Sequence, residues 1–205
     1  MITRNWRAQR ASQKPIVPGL ADLPGILAAM QLSPKIREHL AGLADELLAA
    51  DQPGMTMNRG ERELIATAVS AGNECVYCAD THGAFALELL KRGRSFNAQE
   101  IVSGTKLHDF SPFSAKMRAL IHIALKVRER ALSLTEEDVN EAIERDASPT
   151  DVQFTVLIAA AFCMYNRCVD GLRARTPESE DAYTARALEI ADHGYASAKT
   201  CSVPQ

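Results

Sequence analysis

Apolar residues recur at three- and four-residue intervals along almost all of this 205-residue chain, while strand signals are scarce and aromatics make up only 5%. That interval matches a helical turn of about 3.6 residues and not the two-residue alternation of a strand. The chain is therefore expected to be all-α. Ser33-Pro34 and Ser148-Pro149 each pair an N-cap hydroxyl with a proline at the first helical position. Asn58 with Glu61, and Thr135 with Asp138, have the spacing of capping boxes. Helices are expected over 23–30, 34–50, 58–71, 74–92, 97–103, from Ser111-Pro112 onward, 135–146, 148–170 and 178–191. Gly93 reads as the glycine just past a helix end, and Asn97 as a cap. Lys14-Pro15-Ile16-Val17-Pro18-Gly19 cannot stay helical. Residues 1–19 are thus expected as an extended arm, 20–195 as a single helical domain and 196–205 as a tail.

A hydrophobic content of 46% suits one sizeable core. The net charge of -3 lacks the basic excess of a nucleic-acid binder. The longest apolar run, Phe154 to Met164, is closed by Arg167 and Asp170, so no membrane span is expected. Met1 to Arg10 carries positive charge with no apolar stretch behind it, so no secretory signal is read. Five cysteines, an odd number, argue against a secreted disulfide framework, and a reducing cytoplasm is the expected setting.

The chemistry-bearing segment is Cys75-Val76-Tyr77-Cys78-Ala79-Asp80-Thr81-His82. Residues three apart on a helix are about 5–6 Å apart, within the range a disulfide accepts. His82 falls on the same face, four residues past Cys78. Only a thiolate is nucleophilic, and two features favour one here. The helix N-terminus acts on Cys75, and His82 can take the proton of Cys78. Glu63 would lie about 18 Å from Cys75 on one unbroken helix. A reversal at Gly72-Asn73 would form an αα-hairpin and bring Glu63 level with His82, where it could orient the ring or accept its proton.

Glu63, Cys75, Cys78 and His82 together resemble the alkylhydroperoxidase D-like members of the carboxymuconolactone decarboxylase superfamily. The close match spans Asn58 to Leu90, and Asn166-Arg167 with Asp170-Gly171 is similar to the peroxidase-related branch. The resemblance implies a compact helical domain whose αα-hairpin carries the CxxC motif, assembled as a homo-trimer or homo-hexamer. It implies a thiol-dependent hydroperoxide reductase in which Cys78 attacks the peroxide, Cys75 resolves it, and Glu63 and His82 relay protons. No metal or other cofactor is implied. The partners implied are a hydroperoxide substrate and a dithiol reductant such as a lipoyl-bearing protein, with neither nucleic acid nor membrane. Tyr77 stands where the best-known enzyme of the family has a histidine.

Other readings stand beside this one. The chain could be a dithiol exchange protein or redox sensor without peroxidase turnover, or a non-redox lactone decarboxylase, whose chemistry does not depend on a CxxC. It could also be a helical module in which Cys75, Cys78 and His82 hold zinc with His108 or His122. Cys75 and Cys78 could equally be two buried apolar side chains. His122, in an apolar stripe, reads as a core histidine, and Asp109 as a turn or cap residue. Cys163 and Cys168 read as core or interface thiols. Tyr77 reads as a packing or pocket-rim residue, Ser70 as a helix contact, and Arg167 as a pocket contact or an ion-pair partner. Segments 93–97 and 105–112 are candidates for bordering the pocket.

Overall fold

A computed structural model describes residues 14–195 apart from 19, 21, 22, 32 and 178. The expected arm over residues 1–13, the tail over 196–205, and Cys201 lie outside the described residues. The architecture is all-α, as the periodicity requires. The helices are α1 (Ile26–Met30), α2 (Pro34–Leu48), α3 (Arg59–Gly72), α4 (Val76–Arg92), α5 (Ala98–Leu107), α6 (Ala115–Arg130), α7 (Glu136–Glu144), α8 (Pro149–Gly171) and α9 (Glu180–His193). A short 3-10 turn, Ala131–Ser133, links α6 to α7. Among the described residues the sole strand-like pairing is a bridge between Pro24 and Arg175.

The helix starts follow their side-chain chemistry. Asn58, Thr135 and Ser148 each close a reciprocal capping box with the acidic residue three positions on. Two expected starts differ. Asn97 makes no side-chain cap bond; its amide reaches Pro112 O at 3.5 Å instead. The helix expected at Ser111-Pro112 begins at Ala115, because the Ser114 hydroxyl takes the Met117 amide while Ser111 is turned toward Asp109.

Helix ends show a second departure. Gly93 keeps a negative φ, and the left-handed residue is Arg94, at φ 60°. The same holds at the hairpin. Glu74 N–H bonds Ala71 O and Cys75 N–H bonds Ser70 O, a Schellman turn with Glu74 in the left-handed region at φ 59°. The reversal therefore lies one to two residues later than Gly72-Asn73. Gly72 has a different role: Arg128 donates to its carbonyl at 2.9 Å, and a Cβ there would displace that guanidinium.

α8 packs against α1, α2, α3, α6 and α7 and runs through the middle of the bundle. By length and composition it is apolar enough to cross a membrane, contrary to the expectation from Arg167 and Asp170, yet half of that stretch is buried within the bundle. Its buried side carries Ile158, Ala159, Phe162 and Tyr165 into the main core, where they meet Leu64, Ile65, Val69, Leu120 and Ile123 of α3 and α6. The outer side exposes Leu157 and Met164. His122 is exposed rather than in the core, because α6 turns it outward to Asp138 at 3.2 Å.

Candidate active site

α3 and α4 form the hairpin that the site is built on. Cys75 caps the start of α4, with Cys78 one turn later and His82 one turn beyond that. The two cysteines are free thiols, 0% and 3% exposed. They differ in outlook. Cys78 lines a cavity of about 90 Å³ together with Tyr77, Thr81 and His82, whereas Cys75 is not in its wall. Cys75 packs instead with Tyr77 and Val169. A hydrogen bond to the Cys78 thiol, reinforced by burial, pushes the Cys75 thiol well above its usual range. Cys75 is thus held as a protonated thiol directly behind the one that faces the cavity.

Antiparallel pairing of α3 and α4 carries Glu63, nineteen residues before His82, to the imidazole: Nδ1 lies 2.7 Å from Oε2. Glu63 is 1% exposed and the His82 side chain 12%. A carboxylate can only accept, so Nδ1 is assigned the proton and Nε2 is the nitrogen left for chemistry. Phe162 meets the ring edge-on at 4.5 Å and Phe85 at 5.3 Å, which fixes its plane.

The site has a member that the sequence did not announce. The Tyr195 hydroxyl donates to Glu63 Oε1 at 2.5 Å and lies 3.3 Å from His82 Nδ1. Burial and then the Glu63 charge push its pKa well above the usual phenol value, so it remains a neutral donor. Its placement is built locally. Gly194 ends α9 at φ 70°, and a Cβ there would collide with Asp45. The Tyr195 amide then donates to Asp45 Oδ1 at 2.6 Å, and Arg59 caps the last carbonyls of α9 at Ile190 and Ala191. The one local signal was the Gly194-Tyr195 pair after the last helix; no sequence period links it to Glu63.

The hairpin turn is tied to α8. Asn166, 1% exposed, donates to Ser70 Oγ at 3.0 Å and accepts from Asn73 at 2.8 Å. Ser70 is thus a helix contact. Arg167 does not enter the cavity; it is exposed and bonds Cys163 O of its own helix at 2.9 Å. Cys163 is half-buried beside the Asn73 amide, and Cys168 is half-buried. Tyr77 is a wall residue of the cavity, packed so closely on Gly25 that any side chain at 25 would overlap its ring. Segments 93–97 and 105–112 do not border this cavity; Gly93, Ser95, Asn97 and Pro112 line a separate groove. The zinc reading lacks its fourth ligand. His122 pairs with Asp138, His108 stands beside Phe110, and no group of three or more metal-ligating side chains occurs among the described residues.

Residues 34–92 match the Carboxymuconolactone decarboxylase family. Among solved structures, the chain is similar to a peroxidase-related protein with an alkylhydroperoxidase core from Ralstonia eutropha. The identity is 23%, covering 79% of this chain and 80% of that one, with a TM-score of 0.68. A peroxidase-related protein from Silicibacter shares 20% identity over 85% of this chain and 93% of its own, with a TM-score of 0.66. A protein of unknown function from Agrobacterium tumefaciens, described as a candidate antioxidant defence protein, shares 16% identity over 81% and 100%, with a TM-score of 0.61. No significant match was found among curated proteins. The matched segment contains Glu63, Cys75, Cys78 and His82, and the helices around it share the fold of these solved structures.

Proposed function

We propose that this protein is a thiol-dependent hydroperoxide reductase. One observation carries the reading: Cys78 faces a cavity beside a histidine anchored to a buried carboxylate, with a protonated Cys75 thiol hydrogen-bonded behind it. His82 Nε2 takes the Cys78 proton, giving an imidazolium stabilised by Glu63. The Cys78 thiolate attacks the outer peroxide oxygen. The S–O bond forms as the O–O bond breaks, and the leaving alkoxide takes the proton from His82 to become an alcohol. Cys75 then attacks the sulfenic acid at sulfur, forming the Cys75–Cys78 disulfide and releasing water. A dithiol, a lipoyl group by family resemblance, returns two electrons by exchange. That cycle requires a reducing compartment, consistent with a cytoplasmic setting.

The active form is proposed to be a homo-oligomer, a trimer or hexamer. The exposed apolar side chains Leu157 and Met164 on α8 favour self-association.

Reduced protein treated with one equivalent of hydroperoxide should lose two hydrogens at Cys75–Cys78 by mass spectrometry. Cys75→Ser should accumulate a trappable sulfenate at Cys78. Peroxide consumption by Cys78→Ser at the wild-type rate would overturn the assignment. A trace of iodoacetamide should alkylate Cys78 before Cys75, since Cys78 lines the cavity while Cys75 does not and is held protonated.

A further inference from the structure

The wall of the Cys78 cavity is mostly apolar, with Met30, Phe85, Phe162 and Ile190 among its residues, yet two arginines also line it, Arg37 from α2 and Arg186 from α9. Among the described residues, no aspartate or glutamate lines it. Glu63 sits behind His82 and is taken up by the ring and Tyr195. Arg186 is paired with Glu189. Its positive charge still acts on the phenols of Tyr77 and Tyr195 at the cavity, lowering the pKa of each against the upward push of burial. Arg37 is half-buried, one and two turns from Ala41 and Ala44 on the same α2 face, and makes no side-chain ion pair or hydrogen bond among the described residues. Thr81, between Cys78 and His82 in the chain, also lines the cavity, but its Oγ1 is buried and interacts with the Tyr77 phenol.

We infer that the cavity selects an organic hydroperoxide whose short carbon skeleton bears a carboxylate, and that Arg37 is the specificity residue that reads that charge. This rests on the hydroperoxide-reductase reading above. The apolar wall accepts the skeleton, and the Arg37 guanidinium offers a two-pronged donor to the carboxylate. In a wall of low dielectric that pairing is stronger than in water, and a neutral analogue gains nothing from it. The cavity is small, about 90 Å³, which favours a short skeleton.

The test uses the full chain and a near-isosteric pair, 3-hydroperoxy-3-methylbutanoate and its carboxamide. Stopped-flow measurement of Cys78 oxidation should favour the carboxylate by about tenfold or more. Arg37→Gln should bring the carboxylate-to-carboxamide ratio close to one, and Arg37→Lys should retain part of the preference. In parallel, calorimetry on Cys78→Ser should show the unreactive 3-hydroxy-3-methylbutanoate binding more tightly than its amide, with the difference lost in the added Arg37→Gln change. A ratio near one in the wild type, or a ratio that survives Arg37→Gln, overturns the inference. If neither hydroperoxide oxidises Cys78, the reductase reading falls, and the calorimetric arm still decides whether the cavity reads the charge.

Discussion

Among the described residues two carboxylates are buried almost completely, and their partners are of opposite kinds. Asp151 is 0% exposed and Glu63 1%. Asp151 accepts from the backbone amides of Thr56, Met57 and Ser148 at 2.8, 3.0 and 3.0 Å, and from the Thr56 hydroxyl. Burial alone would raise its pKa, but these donors outweigh burial and hold it below the usual carboxylate value. Backbone amides do not exchange roles, so Asp151 ties the 56–57 segment to the start of α8 and does nothing else. Glu63 has no backbone donor among its recorded bonds; it faces an imidazole and a phenol. Equal burial therefore yields a structural clamp in one place and a carboxylate facing two titratable side chains in the other. The partner set, not the depth, separates them.

The largest expected effect tests the clamp. Asp151→Ala leaves several buried donors unpaired and should cost about 3–5 kcal/mol. That lowers Tm by roughly 10 °C for a chain of this size, read by thermal unfolding. The folded fraction should keep Cys78 reactivity, and a Tm loss below about 3 °C would erase the contrast. The sign with pH follows from the depressed pKa. The stabilisation is complete above the unfolded carboxylate value near 4 and is lost as pH falls through the lower folded value. Asp151→Asn should accordingly flatten the acid side of the Tm–pH curve.

Glu63→Gln inverts that pattern. Stability should change by only about 1 kcal/mol, while hydroperoxide-driven oxidation of Cys78 slows by roughly 10²–10³-fold, because Gln cannot stabilise the imidazolium. A Tm collapse with normal reactivity in the folded remainder would make Glu63 another clamp. Tyr195→Phe sharpens the point with a smaller effect, about tenfold in rate. Removing this donor loosens the carboxylate that orients the ring. The smallest effect concerns the hairpin turn that joins α3 to α4. Glu74→Gly places glycine in the left-handed position and should raise stability by about 0.5–1 kcal/mol in a denaturant titration.

Much of this was written locally. Helices open where an Asn, Ser or Thr meets a partner three residues on, a bond that needs no distant neighbour. The placing of Glu63 beside His82 could be counted from the sequence, because a hairpin equates residues at equal distance from its turn. The turn itself was misplaced by a residue or two. Glycine is the usual mark of a left-handed helix end, and here Glu74 and Arg94 take that role at positions flanked by Gly72 and Gly93. His122 misled for a related reason: its apolar neighbours along α6 do not say which edge of the stripe faces outward.

By itself, then, the sequence determined an all-α chain, the boundaries of most helices, and the set Glu63, Cys75, Cys78 and His82. Each of these depends on spacing within a turn or a hairpin. Tertiary packing alone decided which thiol meets the cavity, that Tyr195 reaches Glu63 across 132 positions, and that Arg37 and Arg186 stand in one apolar wall. Those contacts join helices remote in the chain. Their geometry comes from how whole helices dock, which no short-range pattern encodes.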